Sequence, residues 1–278
     1  MNLRLQSIAT LVALLLMFWF SSAGTAAQLN EASVTVVVKN VTLLSTQAPP
    51  RAAALNDTVR DDAAVRTGDQ SRAELTFSDQ SVARLWADTT LGLKDGARNL
   101  YLENGAVFLQ IPRGAGVATI HGGGVAADIS GTSVVFEYHP NVFKFLVLEG
   151  TGRLYRPGQL GDSILVESGQ LVFGNPKAAL TDPVDFDISH FLKTSRFIME
   201  FAPLRGAASI ASEIQKQQRA KSEKTLLETN LVMYGGGTSV SAVSSGKIGT
   251  GTKASAESPT PTPTPTRSLS REAVNRSR

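Results

Sequence analysis

Ser163, Asp187 and His190 are the residues of this sequence whose types could form a hydrolytic triad. A serine hydroxyl becomes a strong nucleophile only when an imidazole takes its proton, and a carboxylate must orient that imidazole. The three residues lie inside and just after a strand-rich region, which lacks the alternation of strands and helices that builds an α/β pocket. We therefore predict a protein without catalytic residues, and an envelope serine hydrolase that uses Ser163 is the alternative hypothesis.

Two short strings near these residues also have simpler interpretations. Gly161–Ile164 (GDSI) resembles the nucleophile block of GDSL-type hydrolases, and His121–Gly124 (HGGG) resembles the oxyanion loop of some esterases. Glycine, aspartate and serine also dominate ordinary turns, and aspartate is a favoured helix N-cap. We interpret HGGG as a connection between strands, GDS as a turn, and Asp187 as the N-cap of a helix.

Metal and ligand chemistry has little support in the sequence. It contains no cysteine, which excludes thiol catalysis, thiolate zinc sites and haem attachment. The histidines, His121, His139 and His190, are too far apart to show the spacing of metal ligands. We expect no metal and no cofactor. Aromatic residues on strand patterns are expected in the core, although an exposed pair such as Phe143 and Phe145 would favour a carbohydrate-binding module.

The charge pattern argues against nucleic acid as a partner. The 278 residues include 27 basic and 24 acidic ones, for a formal net charge of +3, and the basic residues are scattered. A hydrophobic fraction of 42% is enough to build a substantial core.

Residues 1–27 have the features of a secretory signal peptide. Arg4 supplies the positive charge, Ile8–Phe20 is an apolar block, and small residues follow it, so the mature chain would begin at Gln28. The block is shorter than the roughly 20 apolar residues of a spanning helix. We expect an extracytoplasmic protein, located in the periplasm or cell envelope or secreted, with membrane contact only if the segment stays uncleaved.

Residues 28–176 are predicted to form a β-rich domain. Short alternating runs with glycine at the corners favour an all-β core that is β-solenoid-like or sandwich-like. A phrase in which glutamate is soon followed by glycine recurs at Glu103, Glu149 and Glu167. Its uneven spacing favours stacked units of different size, and its glycine is expected to supply a positive φ at each corner. Broken alternation over 82–86 predicts a β-bulge.

The pattern changes after residue 176. Residues 177–234 are predicted to be a helical segment, with a first helix capped near Asp187 and a second, thinly apolar helix over 208–233. The segment 235–278 is rich in Gly, Ser, Thr and Pro and includes a Thr-Pro run at 258–266. Such a composition cannot bury an apolar core, so we expect a disordered tail.

The motifs from Val65 to Phe173 resemble a FecR domain in their order and spacing. The opening motif is VRTGDQSRAELTFSDQSVARLWADTTL, which has Gln80 where family members have glycine in a turn; LENGAVFLQI, GTSVVFEYH, VLEGTGRL and ESGQLV follow. The resemblance implies a solenoid-like extracytoplasmic domain without catalytic residues. In sigma-regulator members, that domain relays a signal from an outer-membrane transducer to a cytoplasmic sigma factor.

These observations lead to one functional hypothesis. Seven residues precede the apolar block, so we expect an exported form that lacks the anti-sigma segment of those regulators. We predict a non-enzymatic FecR-like module that binds a protein partner or a cell-envelope component through edge strands or an exposed sheet. It would act in extracytoplasmic signalling or as an envelope scaffold.

Overall fold

The computed structural model describes residues 31–94, 98–223, 227–232 and 239–244, the last two segments as backbone. The predicted signal peptide, 1–27, lies outside the described residues, and so does the predicted tail apart from 239–244. All described residues belong to one compact unit.

Within the described residues, nineteen strands form one mixed sheet that folds over into two layers. The inner layer contains, in spatial order, β4 (Thr58–Arg60), β1 (Glu31–Val38), β6 (Arg72–Phe77), β7 (Val82–Leu85), the second half of β9 (Asn99–Gln110), β12 (Ser133–His139), β13 (Val142–Glu149), β16 (Gln170–Gly174), β17 (Val184–Phe186), β19 (Ser239–Ser244) and β18 (Leu227–Val232). The outer layer contains β3 (Arg51–Ala52), β2 (Val41–Ser45), β5 (Ala63–Thr67), β8 (Thr90–Lys94), the first half of β9, β10 (Ala118–Gly122), β11 (Val125–Ile129), β14 (Thr151–Tyr155) and β15 (Ser163–Glu167).

The predicted all-β core is confirmed. Among the described strands, only β9 and β10 pair in parallel; the other pairs are antiparallel. Apolar side chains of both layers form one shared core. Two facing antiparallel layers correspond to the sandwich-like alternative, because the rungs of a solenoid would pair in parallel.

The repeated glutamate–glycine phrase marks places where the chain passes from one layer to the other. Gly105 lies within β9, Gly150 joins β13 to β14, and Gly169 joins β15 to β16. Their φ angles are 99°, 79° and 81°, in the left-handed region that glycine enters without a steric penalty. The prediction that these glycines form corners is therefore confirmed, although the corners connect layers and not rungs.

The central strands of the inner layer are buried on both faces, which explains their runs of apolar residues. Along β13, Phe143 and Phe145 enter the core between the layers, whereas Leu146 and Leu148 enter a second core on the opposite face. All four residues of β7 are buried for the same reason. The bulge predicted over 82–86 is absent, since β7 pairs with β6 and β9 without a register shift. The alternation of apolar and polar residues is broken here because both faces of β7 are buried, and not because of a bulge.

Three helices cover the second core: α1 (Ile188–Thr194), α2 (Arg196–Met199) and α3 (Ala207–Ser222). Asp187 is the N-cap of α1 and accepts a hydrogen bond from the backbone N–H of His190 at 2.8 Å, as the sequence predicted. The second predicted helix extended to residue 233, but α3 ends at Ser222, and part of the remainder is strand β18. None of the helices in the described residues is long and apolar enough to span a bilayer.

Candidate binding cleft

A cleft of about 620 Å³ opens where the inner layer meets α2. Its rim includes the residues at which the chain turns between the two layers: Lys39 after β1, Gln70 before β6, Asp88 after β7, and Gly105 in β9. We call this space the binding cleft, and the four segments that carry these residues its corner row.

Hydrogen bonds tie the corner row together. The backbone N–H of Gly68 donates to the carbonyl of Asn40 at 2.9 Å, and that of Asp88 donates to the carbonyl of Gly68 at 3.2 Å. The amide of Asn104 then donates to the carbonyl of Asp88 at 2.8 Å. The rim is therefore continuous, although its members come from separate parts of the chain.

Three non-glycine residues of the corner row have left-handed backbones. The φ angles are 58° at Lys39, 49° at Gln70 and 53° at Asp88. This conformation costs an L-residue about 1–2 kcal/mol, and it persists only where the surrounding structure enforces it. The ammonium of Lys39 donates to Oε1 of Gln70 at 2.7 Å, so two of these side chains hold each other across the rim.

An aromatic and cationic surface forms one wall of the cleft. The Trp86 indole is partly buried and contacts the Phe197 ring edge-on, with ring centroids 6.1 Å apart. The guanidinium of Arg196 lies 5.5 Å from the Trp86 ring centroid, within cation–π range. Sixty per cent of the Arg196 side chain is exposed, so this pair faces the solvent of the cleft.

Acidic and basic side chains line the rest of the cleft. Arg72 donates to Glu200 at 2.8 Å, which links β6 to the end of α2. The carboxylate of the lining residue Glu137 lies 2.5 Å from the buried ammonium of Lys144. His139 lies beside the same glutamate, with its Nε2 3.3 Å from a Glu137 oxygen. The cleft therefore presents both signs of charge, with acidic Asp69 and Asp88 exposed at the rim.

A buried arginine positions α2 against the cleft. Arg84, on β7, donates to Glu74 at 2.9 Å and to the carbonyl oxygens of Phe197 at 2.9 Å and Ala202 at 2.6 Å. Burial lowers the pKa of this guanidinium below its usual value, while the hydrogen bond to Glu74 opposes that shift. An arginine keeps its charge under such a shift, so Arg84 serves as a fixed triple donor that anchors the helices.

The structure places Ser163 in the outer layer, whereas Asp187 and His190 lie together at the start of α1. Ser163 begins β15 in the outer layer, and its hydroxyl accepts a hydrogen bond from Arg153 at 2.9 Å. The Asp187 carboxylate is used by the start of α1 and by Lys221, both in the helical layer. Neither contact is that of an assembled triad, in which the serine bonds the imidazole and the carboxylate bonds it from behind.

The HGGG string comprises the end of β10 and the tight turn that leads into β11. Gly123 and Gly124 have φ angles of 58° and 99°. A Cβ atom on Gly123 would lie 1.8 Å from a carbon of the Tyr138 ring, so the glycine lets that ring pack on the turn. His121 stacks on Tyr101, with ring centroids 4.6 Å apart. The string has a packing explanation, in agreement with its interpretation as a connection.

The remaining candidate ligand sites are the aromatic pair on β13 and the possible metal ligands. Phe143 and Phe145 are 1% and 0% exposed, so the aromatic pair that would have favoured a carbohydrate groove lies in the core. Within the described ranges, no group of three or more histidine, aspartate and glutamate side chains is arranged to hold a metal ion.

The residues of the binding cleft were not predicted from the sequence. Its rim is assembled from distant corners, and Arg72 and Glu200 are 128 residues apart. The available signals were indirect: the polar break at Lys39-Asn40, the Gly68-Asp69 turn, and Trp86 followed by polar residues. Each is an ordinary turn by itself, and only the fold brings them to one rim.

The matches to known proteins include one family and two solved structures. The family model described as FecR protein matches residues 63–151. The solved structures are of a proposed anti-sigma factor from Parabacteroides distasonis, determined at 2.50 Å and 1.65 Å resolution. Both are 12% identical in sequence, with TM-scores of 0.39 and 0.40.

The coverage of those structures is partial. The aligned region is 46% of this chain and 63% of the first structure's chain, and 56% and 74% for the second. The chain thus spans less than two thirds of the first neighbour's length. No curated protein matches the sequence.

Proposed function

We propose, from the premise that residues 63–151 of this chain are a FecR domain, that the protein is a non-enzymatic extracytoplasmic module that binds a protein partner in the binding cleft. The observation that carries this proposal is the corner row, where Lys39, Gln70 and Asp88 have left-handed backbones around one opening. Backbone strain of this kind clusters at binding sites, because selection for stability alone would replace such residues with glycine.

The chemistry of the cleft favours a protein over a nucleic acid. Trp86 and Arg196 are of the residue types that most often carry the binding energy of protein interfaces. The exposed carboxylates Asp69 and Asp88 would repel a phosphate backbone, whereas they can pair with lysine or arginine side chains of a protein. A folded or extended polypeptide with basic side chains is therefore the partner class that fits best.

Extracytoplasmic signalling is the role that this proposal assigns to the module. The FecR match supports it, and a scaffold role in the envelope is the other outcome that the partner's identity would reveal. Capture of a membrane-embedded transducer or regulator would support signalling. Capture of structural envelope components would instead support a scaffold role in the envelope.

Site-specific crosslinking in intact cells tests the cleft directly. A photoreactive amino acid replaces Asp69 or Arg196 at the cleft, or Arg153 on the exposed face of the outer layer as the matched control. We expect one protein to be crosslinked from both cleft positions and not from position 153. Absence of a cleft-specific product would contradict the proposal.

Purified partner then allows a quantitative test. Asp69→Asn combined with Asp88→Asn removes two rim charges, and the asparagine introduced at position 88 tolerates the left-handed region. We expect partner affinity to fall about tenfold or more, as for loss of two complementary charges at an interface. The control is Asp182→Asn, which removes an exposed carboxylate away from the cleft and should leave affinity unchanged.

The hydrolase alternative has its own test. An acyl or ester probe is applied to the chain and to Ser163→Ala. We expect no labelling that depends on Ser163, because its hydroxyl is engaged by Arg153. Labelling of the wild-type chain that disappears in Ser163→Ala would show that the protein is an enzyme and contradict the proposal.

A further inference from the structure

The outer layer ends at a strand edge that nothing in the described chain pairs with. β15 pairs with β14, and no other described strand pairs with β15. Two of the other sheet edges are much shorter: β3 has 2 residues and β4 has 3, against 5 in β15. Short edges are a common protection against pairing with other chains, and β15, like the six-residue inner-layer edge β18, lacks it.

The composition of this edge also lacks the usual protection. β15 reads SILVE, with neither lysine nor proline, and its central Leu165 is 49% exposed. Leu160, in the loop just before the strand, is fully exposed. Exposed apolar residues beside an open strand are typical of an edge that receives another strand.

The backbone of β15 is available for such a pairing. The N–H of Glu167 donates to the side-chain oxygen of Gln170 at 2.9 Å, so it points to a side chain and not into the β14 ladder. Backbone groups of alternate residues in a strand face the same side. The N–H and C=O of Leu165 and Ser163 therefore face the open edge, and Gln170 occupies the position that a neighbouring carbonyl would take.

We propose that β15 is the contact at which two copies of this chain pair edge to edge, antiparallel and centred on Leu165. The strand is self-complementary in that register. Leu165 meets its own copy, Ile164 meets Val166, and the hydroxyl of Ser163 meets the carboxylate of Glu167, which can accept its hydrogen bond. No two like charges face each other, and the contact has the two-fold symmetry of most homodimers.

This inference is independent of the binding cleft, which lies on the inner layer beside α2. Pairing of β15 would join two outer layers into one continuous sheet and leave the cleft of each copy open. A two-copy module would then present two clefts to a partner. Failure of either proposal leaves the other standing.

The first test is the mass of the full chain in solution over a concentration series. Analytical ultracentrifugation should show a reversible dimer. The series extends to about 1 mM, because a short interface is expected to bind weakly. Leu165→Glu should raise the dimer dissociation constant about tenfold or more, since two carboxylates then face each other across the axis. A wild-type chain that stays monomeric throughout would overturn the proposal.

A charge-swap experiment tests the register. Leu165→Lys should also weaken the dimer by itself, whereas a mixture of the lysine and glutamate variants should dimerise more tightly than either alone, because each lysine then faces a glutamate. The matched control is Leu55→Lys, at a leucine between β3 and β4 that is 61% exposed, which should leave the dimer unchanged. Thermal unfolding of each variant checks the fold. Equal dimerisation of all variants, or no recovery in the mixture, would rule out pairing centred on Leu165.

Discussion

At the scale of single residues, the backbone φ angle shows where glycine is favoured and where another residue is accepted at a cost. Gln80 occupies the turn between β6 and β7 with a φ of 70°, where FecR resemblance leads one to expect glycine. Its side chain accepts a hydrogen bond from Arg205, which ties the turn to the start of α3. Asp79 completes the turn by accepting from the backbone N–H of Ser81 at 2.8 Å.

Replacing Gln80 with glycine should stabilise the protein. Gln80→Gly removes the left-handed penalty of about 1–2 kcal/mol but loses the Arg205 contact, so we expect a net gain of about 0.5–1 kcal/mol in unfolding free energy. Chemical denaturation measures it. Gly158→Ala is the converse control: its φ is 79° and a Cβ there would meet nothing within 4 Å. It should destabilise by about 1 kcal/mol through φ alone. A loss of stability in Gln80→Gly would show that Arg205 dominates.

The Asp187 carboxylate should make stability depend on acid pH. Burial opposes its ionisation, but the hydrogen bonds from Lys221 and from the N–H of His190 outweigh burial and hold the pKa of Asp187 below its usual value of 3.8. A lowered folded-state pKa contributes stability above pH 3.8, and that contribution disappears as the pH falls through the folded pKa. We expect Asp187→Asn, which keeps an N-cap, to destabilise the protein at pH 7 and to flatten its acid profile.

Urea unfolding of wild type and variant between pH 7 and pH 2 measures this dependence. Asp182→Asn, at an exposed carboxylate five residues earlier, is the control and should follow the wild-type profile. Parallel profiles for Asp187→Asn and wild type would mean that the ion pair with Lys221 contributes nothing to folding.

At the scale of elements, the structure depends on strands that bend from one layer into the other. β9 is the clearest case, because it pairs with β8 in the outer layer through residues 99–104 and with β12 in the inner layer through 105–110. The bend requires close approach at Gly105, whose Cβ would lie 2.3 Å from Oγ1 and 2.6 Å from Cα of Thr89. Backbone atoms cannot yield as a flexible side chain would.

Gly105→Ala should therefore be strongly destabilising. Left-handed strain and the clash with Thr89 together predict a loss of more than about 2 kcal/mol in unfolding free energy. Thermal denaturation checks it. Gly114→Ala is the matched control, with a φ of 81° and nothing within 4 Å of the new Cβ, so it should cost only the left-handed penalty of about 1 kcal/mol. Equal losses of unfolding free energy in the two variants would show that the clash with Thr89 contributes nothing.

At the scale of the whole molecule, the helices are a third layer and part of the fold. Phe108 and Leu146 of the inner layer pack in one cluster with Phe191 and Ile210 of the helices, all buried. The matched FecR region, 63–151, supplies only the strand side of this core. The helical segment is thus a cover on which the β domain depends.

Truncating one buried helical side chain should show that dependence. Ile210 is 1% exposed, so Ile210→Ala is expected to cost about 2–4 kcal/mol from lost burial and the cavity it leaves. Met199→Ala, at a methionine that is 67% exposed on the neighbouring helix α2, should change stability by less than about 0.5 kcal/mol. Denaturant midpoints compare the two. Similar small effects would mean that the helices fold independently of the sheet.

Local physics made much of this architecture predictable from the sequence. Alternating β-branched strands, glycines that take a positive φ at Gly105, Gly150 and Gly169, and the Asp187 cap depend on each residue and its near neighbours. The order of such motifs was also enough to indicate the FecR family. The end of α3 and the β18 strand were missed, because the helical propensity over 223–233 is overridden by the pairing of β18 with β19.

Tertiary structure alone decided where the surfaces of this protein lie. The sequence determined that strands would form and where they would bend, but not which bends would meet. Lys39 and Gln70 are 31 residues apart and Arg72 and Glu200 are 128 apart, yet they share one cleft. Contacts between residues so distant form only when the chain's loop-closure entropy is offset by packing of the whole core, and no local pattern records that balance.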